Sequence, residues 1–462
     1  MTSRFLALPK RKWTAGRKWT VGRRLAAVAS GALTLSACVQ ALWTVNYSVE
    51  GSDGTAAHFV AQGPGDSVLL AGEVILPGDP ETFLLRADPY VSRHSADGQL
   101  LWRYRPEDGT SFLGATSLST APDGSIYFTD MNEDALVLTK LDADGNRLWQ
   151  YQRPQPGDLF NAGIALFTQT VGTDRVLMGV TQQQDPANPP GTLVALNDQG
   201  EVLWEFNGIG SGNYDPAVRF TASVLNDGRI ATFHSFSTLD EQGRTGGAIT
   251  VLDADGNTLD TVTQESLGLQ RIYDLTASGA GIAVVGSTEQ GSRLLVLGAN
   301  LDVLQQRDFG SATTGRVAVQ DDTLCFALLV VNEPSTDYAE IGTTTLGIID
   351  RNGRETWDVT QTALNSRAAS LTVDNHRCAY TDMALLPPAG VEDGSRIQTQ
   401  TQIYSAKGVL DTVTVAGDPG ISNFGHTLLR GQSLYTASNV ISPLSELGDS
   451  APTATLYKHR VY

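Results

Sequence analysis

Cysteine and methionine are scarce in this chain. Three Cys and four Met in 462 residues exclude a disulfide scaffold and a cysteine-based zinc module. Charge is also sparse at 18%, yet 41% hydrophobic residues are too many for a disordered polymer. No apolar run approaches the ~18 residues of a membrane-spanning helix, and no stretch beyond residue 38 keeps a helical 3.6 period. The hydrolase patterns His-Glu-x-x-His and Gly-x-Ser-x-Gly are absent. The six histidines (His58, His94, His234, His376, His426, His459) are scattered and nominate no catalytic set.

Residues 1–37 lack acidic side chains altogether but hold eight basic ones, from Arg4 to Arg24. The remainder has 24 basic against 50 acidic residues, a net charge of −26. So acidic a body repels nucleic acid through long-range Coulomb forces, and no nucleic-acid partner is expected.

After Arg23-Arg24 comes an uncharged run, Leu25–Leu35, closed by Ser36-Ala37-Cys38. Eleven helical residues span about 16 Å, half a bilayer core, which fits a signal h-region and not an anchor helix. The tetrapeptide Leu35-Ser36-Ala37-Cys38 resembles the bacterial lipobox. That resemblance implies cleavage before Cys38, lipidation of its thiol, and a membrane tether. Val39 where an Asp would favour inner-membrane retention implies the outer membrane. The leader is long and carries a tandem repeat (Arg11–Gly16, Arg17–Gly22), which leaves a start further along as an alternative. Arg23-Arg24 fits twin-arginine export poorly.

The rest is one unit read repeatedly. An apolar strand, an Asp/Asn-Gly turn and an apolar pair ending in Trp appear as Ser95–Trp102, Leu141–Trp149, Leu196–Trp204 and Ile349–Trp357. Weaker copies run Leu252–Leu259, Leu297–Leu304 and Tyr404–Leu410. Asp-Gly between alternating apolar runs marks a hairpin, because Gly tolerates the positive φ of a tight turn. A second hairpin precedes each of these, clearest at Ser117–Asp130. Every repeat thus holds four short antiparallel strands, A to D. A lone four-stranded sheet leaves both faces wet, so copies must pack face to face in a ring, an all-β propeller. The last repeat ends without its fourth strand, and Ala41–Tyr47 is a fourth strand with no blade before it. Pairing the two closes eight blades over residues 41–462.

This repeat resembles that of the quinoprotein-dehydrogenase-like (PQQ-like repeat) propellers. An eight-bladed lipoprotein of the kind is similar to the propeller lipoproteins of the outer-membrane β-barrel assembly machine. The resemblance implies a non-catalytic scaffold that binds an envelope protein, without a cofactor. Two departures stand out. Blades four, five and seven lack the Trp, and the chain is longer than those proteins.

Trp43, Trp102, Trp149, Trp204 and Trp357 share one repeat position and are expected as plates packed between blades, not a binding cage. Asp142–Asn146 and Asp253–Asn257 begin like calcium loops, but Tyr151 and Val262 stand where the bidentate Glu is needed. Their aspartates are expected to cap their own turns, with no metal. Quinone enzymes, by resemblance, use near-adjacent Cys and an acidic calcium cluster. Cys325 and Cys378 are 53 residues apart at matching positions on the second strands of adjacent blades. They are expected as free buried thiols, since such strands should stand farther apart than the ~7 Å a bridge permits.

The A–B and C–D turns are tight, whereas the long inserts fall at the B–C connections and so on one rim. Three contiguous inserts (Asn332–Gly342, Leu385–Ser395, Ser442–Pro452) mix acidic and apolar side chains. Loops on a rigid frame are where binding concentrates. Asp337, Tyr338, Leu386, Glu392, Asp393, Leu444 and Glu446 are therefore the candidate partner-binding residues. The chain is expected to be a monomer, tethered to the outer membrane and facing the periplasm or the exterior. The alternative is an enzyme or carbohydrate-binding propeller working through its central funnel.

Overall fold

A computed structural model of the chain describes residues 40–77, 86–106, 111–132, 134–154, 164–181, 191–207, 221–236, 246–279, 281–310, 312, 314–321, 323–333, 340–349, 355–364, 370–386, 396–415, 422–440 and 453–461. The chain divides into two units, Met1–Ser36 and Ala37–Tyr462, and everything described lies in the second.

The alternation of apolar strands and Asp/Asn-Gly turns folds as eight antiparallel four-stranded sheets. Blade 1 is β2 (Gly54–Gln62), β3 (Val68–Leu76), β4 (Arg86–His94) and β5 (Leu100–Tyr104). Blade 2 is β6 (Ser111–Thr120), β7 (Ile126–Asn132), β8 (Ala135–Leu141) and β9 (Arg147–Pro154). Blades 3 to 7 follow as β10–β13 (Ile164–Asn207), β14–β17 (Thr221–Thr263), β18–β21 (Arg271–Phe309), β22–β25 (Thr314–Leu364) and β26–β29 (Ser370–Val415). Blade 8 holds β30 (Ser422–Arg430), β31 (Ser433–Val440) and β32 (Thr453–Arg460), and its fourth strand is β1 (Gln40–Tyr47). β1 pairs antiparallel with β32 from Gln40 opposite Arg460 to Tyr47 opposite Ala454. Closure by the first strand is thus observed, and it removes the two sheet edges an open ring would expose.

Each blade is sandwiched between two others, so its middle strands are buried on both faces and read as near-continuous apolar runs. All seven residues of β8 are buried. The outer D strands face water on one side, as in the largely exposed Thr258–Thr263. Side chains tie the innermost strands of neighbouring blades together. Ser117 Oγ donates to Thr168 Oγ1 at 3.3 Å, the Val317 amide donates to Asp274 Oδ2 at 3.1 Å, and Ser370 Oγ lies 2.7 Å from Thr427 Oγ1.

The expectation for the cysteines is corrected. Cys325 and Cys378 form a disulfide between blades 6 and 7, with Cα atoms 5.9 Å apart, and both are fully buried. The B strands stand second from the axis, where wedge-shaped blades converge. Pleating aims one cysteine at each neighbour, into a shared layer with Ala327, Ile348, Tyr380 and Tyr404. The separation falls within disulfide range.

Candidate functional site

The B strands of blades 1, 3, 4, 6, 7 and 8 end at Leu76, Thr181, Phe236, Glu333, Leu386 and Val440. Up-and-down topology puts all six ends on one side of the ring, so the six long B–C segments leave from a single rim. Of the candidate partner-binding residues, Leu386 closes its strand on that rim opposite Arg396. Asp337, Tyr338, Glu392, Asp393, Leu444 and Glu446 lie outside the described residues, as do Leu35, Ser36, Ala37 and Cys38.

The opposite rim is made of tight turns, and the tryptophans hold it together. Trp43 Nε1 donates to the Ala96 carbonyl at 3.0 Å, Trp102 to Ala143 at 2.8 Å, Trp149 to Asp198 at 2.7 Å and Trp204 to Ala254 at 3.0 Å. Each acceptor is the second residue of the C–D turn in the next blade. The same ring lies flat on the turn glycine. A Cβ built on Gly145, whose φ is +85°, would sit 2.6 Å from Trp102 Cδ2. Glycine is therefore needed twice over, for the turn's positive φ and for the approach of the indole. A cation of the preceding blade reaches the same carbonyls: Lys458 Nζ donates to Ala96 at 2.7 Å and Arg93 Nη1 to Ala143 at 2.7 Å. The Trp357 side chain lies outside the described residues.

A one-residue register slip precedes the tryptophan position in the D strands of blades 1 to 5, 7 and 8. The extra residue is always leucine: Leu42, Leu101, Leu148, Leu203, Leu259, Leu304 or Leu410. This bulge rotates the next side chain onto the neighbouring blade and leaves the leucine outside. Every exposed large hydrophobic residue among those described belongs to this girdle or stands beside it. Where blade 4 has Asp260 in place of Trp, the receiving turn of blade 5 has Leu301 in place of Gly, at φ +62° and 6% exposed. With no ring to admit, a side chain fills the space.

The turn aspartates do cap their own loops. Asp142 Oδ1 accepts from the amides of Asp144 at 2.9 Å and Asn146 at 2.8 Å. The Asn146 side chain and these amides hold the Asp142 carboxyl below the usual carboxylate range. Among the described residues no three His, Cys, Asp or Glu side chains gather as a metal site.

The interface between blades 8 and 1, where the ring closes, is unusually polar. Asp88, Tyr90, Ser92 and His94 alternate along one face of β4 and are all buried. Asp88 takes both Nε and Nη2 of Arg105, at 2.8 and 2.6 Å. The Tyr47 ring of β1 lies 4.1 Å from that of Tyr90, with the Arg103 guanidinium 4.0 Å from its centre. Burial drives the Tyr90 hydroxyl far above the usual tyrosine range. Two of the six histidines lie on this interface, although nothing in their spacing announces it: His94 on blade 1 and His426 on blade 8. His426 Nδ1 accepts from the Val60 amide at 3.4 Å, and His94 Nε2 meets Ser92 Oγ at 3.0 Å. Burial holds both imidazoles down at about 4. His58 Nε2 lies 3.5 Å from Glu73 Oε1, beside the blade 2 junction. Burial raises the Glu73 carboxyl, but His58 and the Gly114 amide outweigh it and leave it lowered.

A family model described as outer membrane protein assembly factor BamB matches residues 40–235. No curated protein sequence is similar enough to match the chain. Among solved structures it is similar to the WD40 domain of SCAP from fission yeast, at 9% identity over 92% of this chain and 96% of that one, with a TM-score of 0.49. It is also similar to a protein of unknown function from Dyadobacter fermentans, at 11% identity over 92% and 99%, with a TM-score of 0.41. The chain is an eight-bladed propeller, and its residues 40–235 are similar to the PQQ-like repeat family of that assembly factor.

Proposed function

We propose that this protein is a lipid-anchored, non-catalytic scaffold that binds a partner protein in the bacterial cell envelope. Its domains are a signal peptide over residues 1–37, an acylated N-terminus at 38–40 and a single propeller from 41 to 462. The likeness of residues 40–235 to an outer-membrane assembly factor carries the reading. The lipobox supplies the anchor at Cys38, and outer-membrane location follows from Val39. The Cys325–Cys378 bridge supports an oxidising compartment, since structural disulfides are rare where thiols are kept reduced.

The partner binds the rim of long connections, through Asp337, Tyr338, Leu386, Glu392, Asp393, Leu444 and Glu446. A closed ring holds these segments on one rigid frame while the opposite rim is locked by tryptophan and turn. The experiment is photocrosslinking in intact envelopes from positions 338, 392 and 446, with position 198 on the opposite rim as control. Discrete adducts from the first three alone are the expected result. Adducts only from position 198, or an unchanged capture profile once the three inserts are shortened, would overturn the reading.

A further inference from the structure

The tether leaves the ring where β1 begins. Gln40 opposes Arg460 there, at the rim of tight turns and on the outer wall of blade 8. Cys38 is only two residues away in sequence, and two residues reach at most about 7 Å. A body hung so closely from an acyl chain cannot swing clear of the bilayer, so the wall beside β1 must face headgroups.

That wall is built for such a neighbour. Leu42 is 37% exposed, and Leu100 and Leu101 of the adjoining blade are 48% and 50% exposed. They belong together because Trp43 seats on Gly98 of the same turn. The charge of the turn rim also changes sign around the ring. Among the exposed C–D turn residues Asp97 lies on blade 1 and Asp144, Glu201 and Asp255 on blades 2 to 4, whereas Lys407 of blade 7 and Arg460 of blade 8 are basic, with Arg430 half-buried beside them. Arg430 pairs at 3.1 Å with Asp66, whose side chain is 90% exposed. Basic side chains thus flank the tether on the blade 7 and 8 side, and acidic ones follow from Asp97 onward on the other.

We infer that the outer wall of blades 8 and 1, centred on Leu42, Leu100 and Leu101 and flanked by Lys407 and Arg460, docks on an anionic lipid surface. The inference rests on the acyl anchor proposed above. Beside a lipid anchor, a basic and apolar patch adds a second membrane contact that sets the orientation of the body. Docking this wall fixes the ring's orientation, with Lys407 and Arg460 toward the headgroups and the acidic turns of blades 3 and 4 away from them.

Hydrogen exchange of the full acylated chain on phosphatidylethanolamine–phosphatidylglycerol vesicles, against the soluble C38S chain, tests this. Exchange should slow by roughly tenfold in 41–46 and 97–103 and stay unchanged in 256–262, the matching turn on blade 4. L42S/L100S/L101S should abolish the difference. No slowing, or equal slowing in all three segments, overturns the inference. So does slowing that needs an added envelope protein, which would make this wall a protein interface. Mass spectrometry of the Cys38 peptide reads the anchor separately. Salt-sensitive binding of C38S to the same vesicles tests the patch even if Cys38 proves unmodified.

Discussion

Lowering the pH from about 7.5 to about 4.5 should weaken the ring first at the interface between blades 8 and 1. His94 and His426 are neutral in the folded chain, held at about 4 by burial, whereas an unfolded histidine titrates near 6.5. A depressed histidine makes the unfolded state the stronger proton binder between those values, so its contribution to stability shrinks as pH falls across that window and is gone below about 4. At pH 4.5 each site costs about 2.5 kcal/mol, or about 5 kcal/mol for the pair. The Asp142, Asp227, Asp253 and Asp308 carboxyls, lowered by their hydrogen bonds, act only below their ordinary range and leave this window to the histidines. Protonating His426 Nδ1 also removes the acceptor of the Val60 amide. The variant H94Q/H426N keeps a polar atom at each contact and cannot titrate. Urea unfolding at both pH values, with hydrogen exchange over residues 41–47, gives the comparison. The wild type should lose about 5 kcal/mol more than the variant, and β1 should be the first segment to exchange. An acid loss as large in the variant as in the wild type would refute the reasoning.

Replacing Cys325 and Cys378 by Ser opens a 53-residue loop and should cost about 4 kcal/mol in urea unfolding, a loss that reductant reproduces in the wild type. Gly145→Ala places a methyl against Trp102 at a positive φ and should cost about 2–4 kcal/mol, read as a fall in melting temperature. Asp260→Trp alone should destabilise, because Leu301 fills the seat. Adding Leu301→Gly should recover at least about 1 kcal/mol as a favourable coupling in a double-mutant cycle.

The propeller was legible because its signals are local and repeated. A strand, a turn with glycine at its positive-φ corner and a Leu-Trp pair recur in register, and each copy needs neighbours to cover its faces. Closure was legible for the same reason: Ala41–Tyr47 carries the pattern of a fourth strand and has no blade of its own. The disulfide was not. Matching sequence positions place Cys325 and Cys378 on equivalent strands, but the distance between those strands depends on how far each stands from the axis. That wedge geometry belongs to the ring and to no repeat within it. The bulge that turns each tryptophan was hidden too, since Leu-Leu-Trp reads as an unbroken strand until the register slips at Leu101.

The polar closing interface shows where repeat logic ends. β8 is mostly apolar, with Thr139 and Lys140 its buried polar residues, and its partners on both sides were laid down by the same repeat. β4 faces a blade completed by the opposite end of the chain, and along that face it carries Asp88, Tyr90, Ser92 and His94. Buried polar groups add little net stability but penalise misalignment wherever a slipped register breaks a hydrogen bond. β1 is a short apolar strand (Ala41-Leu42-Trp43-Thr44-Val45) that could slip by two residues and still present the same faces. Thr55 Oγ1 pins its last residue, where Tyr47 opposes Ala454, donating to the Tyr47 carbonyl at 2.5 Å and accepting from the Ala454 amide at 3.0 Å. Thr55→Val keeps the shape and removes both bonds, so it should loosen register more than stability. The expected outcome is faster exchange confined to 41–47 and 454–459 at an almost unchanged melting temperature. A large global loss with uniform exchange would show that Thr55 supplies stability and not register.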